Sequence, residues 1–282
     1  MTRGGVLITG ASSGIGAAVA RELAAQGFSV FGTIRRLADG AALAAAGVVP
    51  VLMDVTDAPS IASARVAVER ALGSRPFTGL VNNAGIPVAG PLELVPLDDL
   101  RRVLEINLVG AVAVTQAFLP LLKASRGRIV NMSSLAGRVA LPFMGPYAAS
   151  KFGLEAVSDS LRRELSPFGV GVIVVEPGNI QSKIWDKVEA MDLGPYRGTP
   201  YQAVLERFRT EALRGGRRAP PATLVARAVY RALTARRPPT RVIVSARPWI
   251  DGMIGRLPDR WLDWLIRRAV WNGEEGRGTR EG

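Results

Sequence analysis

A tyrosine and a lysine four residues apart, Tyr147 and Lys151, are the side chains in this sequence best suited to chemistry. At the start of a predicted helix, this spacing places the phenol and the ammonium on one face. A free tyrosine has a pKa of about 10, and a neighbouring ammonium lowers that pKa toward the range useful for general acid–base catalysis. Ser134 lies 13 residues before the tyrosine, in a loop after a predicted strand, where its hydroxyl can hold a carbonyl group. These residue types together predict proton transfer at an alcohol or a carbonyl.

A glycine-rich turn joins the first predicted strand to the first predicted helix, in the segment 9–16. Glycines permit a tight turn and a close backbone approach, so a pyrophosphate can lie against the free N–H groups of the helix N-terminus. A purely structural turn would also fit, but the position between strand and helix is the context that a dinucleotide-binding loop requires. The candidate cofactor-binding residues of this turn are Gly10, Ser12, Ser13, Gly14, Ile15 and Gly16.

The end of the second predicted strand carries Arg35 and Arg36 and no carboxylate. A carboxylate there would accept hydrogen bonds from a ribose 2′-hydroxyl, whereas guanidinium groups bind a 2′-phosphate in bidentate fashion. We therefore expect NADP(H) in preference to NAD(H), although two solvated surface arginines would give the same sequence. After the third predicted strand, Asp54 and Val55 are candidates for the adenine side, and Asp57 is a candidate helix N-cap.

The composition excludes other kinds of chemistry. The 282 residues include no cysteine and no histidine, which rules out disulfides, thiol nucleophiles, Ser-His-Asp triads and imidazole-bound metals, and we expect no metal site. Residues 1–196 hold 18 basic and 16 acidic side chains (+2), and residues 197–282 hold 18 and 8 (+10). The basic residues of 197–247 are not interleaved with aromatic side chains on one face, so we predict no nucleic-acid partner.

Short β-branched runs alternate with Ala- and Leu-rich helical stretches along the chain. This alternation predicts an α/β fold, a single-domain Rossmann-type doubly wound parallel sheet of about seven strands with helices on both faces. The predicted strands are 6–9, 29–33, 49–53, 79–82, 128–132, 170–176 and 241–245, and the predicted helices are 14–26, 37–46, 59–71, 97–122, 147–165 and 201–213. We assign 1–247 to one catalytic domain, with a substrate loop at about 178–220, and 248–282 to a C-terminal helical extension.

Several separated motifs, in order along residues 5–246, resemble those of the short-chain dehydrogenase/reductase family. They are the loop 9–16, the segment 82–85, Asn107, Ser134, the pair Tyr147 and Lys151, and the dipeptide 177–178. The resemblance implies that Tyr147 is the catalytic acid/base, that Lys151 lowers its pKa and binds the nicotinamide ribose, and that Ser134 orients the carbonyl. It also implies that Asn107 holds a water in a proton relay.

The same resemblance implies further cofactor contacts. The residues concerned are Asn83, Ala84, Gly85, Tyr147, Lys151, Pro177, Gly178, Ile180 and Ser182. Ser182 stands where the family usually has threonine, and the hydroxyl is retained. Short phrases at 31–36, 141–143, 151–155 and 235–241 are similar to the branch that contains 17β-hydroxysteroid and retinol dehydrogenases.

Two apolar loops are expected to face the nicotinamide and to form the substrate pocket. The candidate substrate residues are Leu135, Val139, Phe143, Met144 and Trp185. We see no fixed cation for an acidic substrate, since Lys183 and Lys187 can both reach solvent. We predict interconversion of an alcohol and a ketone or aldehyde on a lipophilic, steroid-, retinoid- or long-chain-like substrate. The alternatives are a 3-oxoacyl-thioester reductase, which the extension after residue 246 disfavours, and a non-catalytic nucleotide-sensing scaffold.

The C-terminal extension is rich in tryptophan and arginine, and Trp261 and Leu265 fall on one helical face. It could cover the substrate cleft, pack on another subunit, or lie at a membrane–water boundary. No targeting segment is visible, and the apolar stretch 108–122 is interrupted and short for a membrane span. We predict a cytoplasmic homodimer or homotetramer, with peripheral membrane contact as a further possibility.

Overall fold

The alternating sequence pattern folds into a parallel seven-stranded sheet, which confirms the predicted fold class. A computed structural model of the chain describes residues 3–271. The strands are β1 (Gly5–Ile8), β2 (Ser29–Ile34), β3 (Val49–Leu52), β4 (Phe77–Asn82), β5 (Arg128–Met132), β6 (Gly171–Pro177) and β7 (Arg241–Val244). Their order is β3-β2-β1-β4-β5-β6-β7, so the direction of winding reverses between β1 and β4. In doubly wound sheets, ligands bind at such a switch point, outside the carboxyl ends of the strands.

Helices cover both faces of the sheet. They are α1 (Gly14–Ala25), α2 (Ala41–Ala44), α3 (Ala58–Leu72), α4 (Leu97–Leu104), α5 (Gly110–Ser125), α6 (Gly145–Glu164), α7 (Ile184–Glu189), α8 (Gln202–Arg217), α9 (Ala222–Thr234), α10 (Pro248–Ile254) and α11 (Asp259–Val270). On one face, Leu23 of α1 and Val229 of α9 share a core with Val81 of β4. On the other, Phe118 of α5 lies in a core with Leu80, the residue before Val81. Both faces are buried, which explains why the strands are continuously apolar.

Helix α9 is missing from the sequence prediction, as is the short helix α7. The buried positions of α9 are Val225, Ala226, Val229 and Ala232, which follow a helical period. The helical period is therefore visible in the sequence. The segment lies between a Pro-Pro pair and an arginine-rich stretch, and the sequence prediction assigned it to no element. Helix α9 packs along α1 and completes the cover over one face of the sheet.

The predicted helix 97–122 contains a turn of π-helix at Glu105–Val109 that separates α4 from α5. This turn includes Asn107, whose side chain is buried. The whole run Leu97–Ser125 is long and apolar enough to cross a membrane, contrary to the expectation from 108–122 alone. Within this run, Phe118 and Leu122 are buried in the core against the sheet, and 39% of the apolar window is buried inside the protein.

The C-terminal extension folds back onto the catalytic domain. Helix α10 packs beside β7, and Val270 at the end of α11 contacts the apolar cluster around Phe143 and Leu205. Trp271 also packs on Phe143, with ring centroids 6.2 Å apart. The extension thus lies at the rim of the cleft, and residues 272–282 lie outside the part of the chain that the structure describes.

Candidate active site

One cavity of about 1810 Å³ opens at the carboxyl ends of β1, β2, β4, β5 and β6. It runs from Arg35 and Asp54, after β2 and β3, past the glycine loop to Tyr147, and ends between α8 and α10. The lining at this second end includes the apolar side chains of Leu205, Phe208 and Ile254. The topological switch point therefore coincides with the segments that carry the predicted site residues.

The glycine loop has the shape of a phosphate-binding turn. Gly10 and Gly14 have φ of +66° and +57°, in the left-handed region that favours glycine. A Cβ on Gly16 would collide with the carbonyl of Gly10, so helix α1 can start close to β1 only with glycine at this position. Ser13 is the N-cap and makes no side-chain capping bond, which leaves first-turn N–H groups of α1 directed to the cavity. These features fit the pyrophosphate of a dinucleotide.

The segment after β4 supports this loop. The side-chain amide of Asn83 donates to the carbonyl oxygens of Thr9 and Gly10, at 2.9 and 3.2 Å. The hydroxyl of Thr9 accepts in turn from the backbone N–H groups of Asn83 and Ala84, both at 2.9 Å. Asn83, Ala84 and Gly85 all line the cavity. The segment therefore both contacts the cofactor space and fixes the glycine turn.

The two arginines after β2 differ in their surroundings. Arg36 forms a bidentate pair with Asp39, with N–O distances of 3.1 and 3.0 Å. Arg35 lines the same end of the cavity and makes no side-chain hydrogen bond or ion pair in the described chain, and its charge helps to lower the pKa of Asp54. Thus Arg35 is the guanidinium available to a phosphate, while that of Arg36 is engaged.

Asp54 and Asp57 have different roles, one at the cavity and one at the start of α3. Asp54 lines the cavity, and its carboxylate accepts from the backbone N–H and hydroxyl of Thr56, hydrogen bonds that lower the pKa of Asp54. Val55 lies beside it on the same wall. Asp57 is the N-cap of α3 and accepts from the N–H of Ser60 at 3.2 Å.

Ser134, Tyr147 and Lys151 meet on the cavity wall. The hydroxyl of Ser134 accepts from the N–H of Ala136 at 3.1 Å and donates to the carbonyl of Pro177 at 3.4 Å. Burial raises the pKa of Tyr147, and the neighbouring hydroxyl of Ser134 opposes this rise. The direction is opposite to the one expected from the Tyr–Lys spacing, because removal from water favours the neutral phenol.

Lys151 is buried beneath the tyrosine. Its ammonium donates to the carbonyl of Met132 at 2.8 Å and lies 5.6 Å from the centre of the Tyr147 ring. Burial lowers the pKa of Lys151 to about 8, against the opposing influence of Glu155 one helical turn further on. At neutral pH the side chain is therefore mostly charged, close to the point where it begins to lose its proton.

Asn107 lies behind this wall and does not line the cavity. Its amide group donates to the carbonyl of Ile86 and to the hydroxyl of Ser150, both at 3.0 Å, and its oxygen accepts from the N–H of Ile86 at 2.8 Å. The side chain thus connects the segment after β4 to helix α6, which carries Tyr147. The water-holding role implied by the family resemblance stays a prediction.

The segment after β6 closes the cavity opposite the glycine loop. Pro177, Gly178, Ile180 and Ser182 all line it. A Cβ on Gly14 would lie 3.4 Å from the Cβ of Ser182, which brings this segment against the start of α1. The side chain of Trp185 donates to the carbonyl of Ile180 at 2.8 Å, so the turn and helix α7 are held together.

Four of the five candidate substrate residues line the cavity, namely Leu135, Val139, Met144 and Trp185. The fifth, Phe143, does not line this cavity. Phe143 is buried in an apolar cluster with Tyr201 and Phe208, with ring centroids 6.2 and 5.7 Å apart, and Phe208 itself lines the cavity. Its backbone has φ +67°, a left-handed conformation that is uncommon for a residue other than glycine.

Sequence reasoning also missed the cations of the cavity. Besides the exposed Lys183, the substrate half is lined by Arg138, Arg209, Arg218 and Arg247. The absence of a fixed cation was inferred from two loops, whereas these arginines come from helix α8 and from segments around β5, α9 and β7. Arg138 is neutralised by Glu176, which is fully buried and lies 2.6 Å away.

Comparison with known proteins identifies the fold and the chemistry. A family model described as short chain dehydrogenase matches residues 5–193. An NADPH-dependent 3-dehydrocapnine reductase of Ornithobacterium rhinotracheale is 34% identical, over 94% of this chain and 96% of the relative. Retinol dehydrogenase 5 of Mus musculus is 36% identical, over 94% and 89%.

A solved structure is similar as well. It is a short chain dehydrogenase/reductase from Burkholderia phymatum in complex with NAD, 26% identical, with a TM-score of 0.77 over 94% of this chain and 95% of that one. Family model, relatives and fold agree with the sequence motifs. The chain is therefore an NAD(P)-dependent oxidoreductase of CH–OH groups and belongs to the short-chain dehydrogenase family.

Proposed function

We propose that this enzyme interconverts an alcohol and a ketone or aldehyde on a lipophilic substrate, with NADP(H) as its preferred cofactor. The observation that carries the proposal is a single cavity in which Ser134 and Tyr147 adjoin both a phosphate-binding turn and an apolar wall. The relative named for retinol, a lipophilic alcohol, supports a lipophilic substrate. Buried hydrocarbon contributes about 25 cal/mol per Å² to binding in such a pocket.

Ser134, Tyr147 and Lys151 have separate roles in the proton transfer. When bound, the nicotinamide cofactor donates or accepts the hydride. The hydroxyl of Ser134 holds the substrate oxygen, and the phenol of Tyr147 gives its proton to that oxygen during reduction and takes it back during oxidation. Burial raises the pKa of Tyr147, so the phenol is protonated at neutral pH and is in the form that donates a proton during reduction. The ammonium of Lys151 stabilises negative charge that develops on the phenol oxygen.

The preference for NADP(H) rests on Arg35. Its guanidinium reaches the end of the cavity next to Asp54, and the carboxylate of Asp39, which could otherwise accept from a ribose 2′-hydroxyl, is already paired with Arg36. This arrangement favours a 2′-phosphate over a 2′-hydroxyl.

A substrate panel tests the proposal. We expect oxidation or reduction of long-chain, retinoid- or steroid-like alcohols and carbonyls with NADP(H), and little turnover of sugars or small polyols. Efficient turnover of polyols alone would contradict the apolar-pocket argument. Preference for 3-oxoacyl thioesters over free lipophilic ketones would favour the alternative reductase, and absence of turnover with all of these would favour a nucleotide-sensing scaffold.

We also propose that the enzyme forms a homodimer or homotetramer. Helices α4 and α6 and the π-helical turn lie side by side, and they expose Leu97, Val109 and Phe152. A second copy of the same face would cover these side chains, as apolar patches of soluble monomers are otherwise small. Light scattering should give a mass of two or four chains, and a monomer at micromolar concentration would contradict this.

We further propose that the C-terminal extension rests on an anionic bilayer surface. Two consecutive helices, α10 and α11, expose an apolar stripe that no described residue covers. Its side chains are Trp249, Ile250, Met253, Trp261, Trp264 and Leu265. Arginines flank the stripe, five against three aspartates between residues 247 and 271. Tryptophan with arginine suits the membrane–water boundary, and a cytoplasmic enzyme with this surface would take a lipophilic substrate from the membrane.

A further inference from the structure

One face of helix α8 lines the substrate half of the cavity. The lining residues are Leu205, Phe208, Arg209, Ala212 and Gly215. The first four positions have the i, i+3, i+4, i+7 spacing of a single helical face. On such an apolar, cavity-facing surface a guanidinium is out of place unless it has a partner.

Arg209 lacks a carboxylate partner in the described part of the chain. Its side chain is half-buried, and its one hydrogen bond is donated to the carbonyl of Met191 at 3.3 Å. A guanidinium carries five N–H donors in a planar fork, so this contact leaves most of them unused. Partial burial without an opposite charge is unfavourable, and an anionic ligand would relieve it.

The other arginines nearby are already satisfied or solvated. On the same helix, Arg214 pairs with Glu211, and Arg217 pairs with Glu189 at 3.0 Å. Arg138 pairs with the buried Glu176 at 2.6 Å. Arg218 and Arg247 line the cavity but are exposed to solvent. Arg209 is therefore the cation of this wall best placed to bind a group inside the cavity.

We infer that Arg209 binds an oxyanion, such as a carboxylate, carried by the lipophilic substrate at a distance from the reacting carbon. The substrate is then an amphiphile, with its hydrocarbon chain against the apolar wall and its alcohol or carbonyl at Ser134 and Tyr147. A planar guanidinium binds a carboxylate through two parallel hydrogen bonds. This inference rests on the proposed function, since it names the substrate class of the same site.

The test uses pairs of substrates that differ only in charge. Long-chain ω-oxo fatty acids of increasing length are compared with their methyl esters in NADPH-dependent reduction of the aldehyde. We expect kcat/KM to be about tenfold or more higher for the acid at the length that spans the site. Arg209→Gln should abolish this preference and leave ester reduction nearly unchanged. Arg209→Lys should keep part of it, and the matched control Arg214→Gln should keep all of it.

The outcomes separate this inference from the proposed function. Equal turnover of acids and esters, or an acid preference that survives Arg209→Gln, overturns the inference and leaves the proposed function intact. An equal loss of ester and acid turnover in Arg209→Gln overturns it in favour of a structural role at the Met191 carbonyl. If the wild type reduces neither series while it reduces polar carbonyls, both the proposed function and the inference are wrong.

Discussion

The ammonium of Lys151 donates a hydrogen bond to the main-chain carbonyl of Met132 at 2.8 Å. Met132 is the last residue of β5, so the contact ties the helix that carries the proton-transfer group to the strand that precedes the Ser134 loop. Because Lys151 is buried, its positive charge destabilises the folded state. The contact that positions helix α6 relative to the Ser134 loop is therefore made by a destabilising side chain.

Lys151→Met should therefore raise stability while it abolishes activity. Holding the ammonium where its pKa is about 8 instead of 10.5 costs on the order of 3 kcal/mol of unfolding free energy at neutral pH. Loss of the bond to Met132 offsets about 1 kcal/mol of the gain. Urea unfolding of the cofactor-free protein should show a net gain of about 1–3 kcal/mol.

The gain in unfolding free energy from Lys151→Met should decrease as the pH rises. Between pH 8 and 10.5 the unfolded state binds more protons than the folded state, so wild-type stability rises with pH and the advantage of Lys151→Met disappears. The control Lys123→Met removes an ammonium that lies over the ring of Phe168 at the surface. A gain of the same size at pH 7 and pH 10.5 would contradict the burial argument.

Tyr147→Phe should lower kcat at least about a hundredfold, since general acid–base catalysis contributes on the order of 10²–10⁴. The ring and its packing remain, so the affinity for NADP(H), measured by fluorescence titration, should change little. Tyr230→Phe is the matched control because its hydroxyl accepts from Arg3 away from the cavity. Near-normal turnover in the Tyr147 variant would be incompatible with its assigned role.

The sequence predicts the parts of this site that are local in the chain. The glycine turn and the Tyr–Lys spacing depend on neighbouring residues, and the structure brings Gly10, Ser134, Tyr147 and Lys151 to one cavity. The parallel sheet follows from the alternation of strands with helices. Local patterns of this kind require no knowledge of how distant segments pack.

The features that the sequence did not predict depend on packing between distant segments. Phe143 is adjacent in sequence to Met144, yet Met144 lines the cavity whereas Phe143 is buried in the apolar cluster with Tyr201 and Phe208. Arg209 enters the site only because α8 lies across it. The pKa direction of Tyr147 was likewise predicted from one neighbour, whereas burial by the whole wall determines its sign.

Arg35→Asp should reverse the cofactor preference. The carboxylate would repel a 2′-phosphate and accept from a 2′-hydroxyl, so NADP(H) affinity should fall and NAD(H) affinity should rise, each by about tenfold or more. Arg36→Gln should have a smaller effect, because Asp39 already engages that guanidinium. Calorimetric titration without substrate measures both affinities. Equal binding of NAD(H) and NADP(H) by the wild type would contradict the assignment.

The double substitution Trp261→Gln, Trp264→Gln should release the enzyme from lipid vesicles. The two side chains are 70% and 59% exposed and lie on the outer face of α11, so they contribute to membrane affinity and little to the folded core. Co-sedimentation with phosphatidylcholine vesicles should increase when phosphatidylserine is added and decrease at high salt, because arginines flank the stripe. Phe168→Gln is the matched control, as this side chain is 49% exposed but lies after α6. If the wild type does not sediment with either vesicle while the double variant changes the oligomeric mass, the stripe is an interface between copies of the chain.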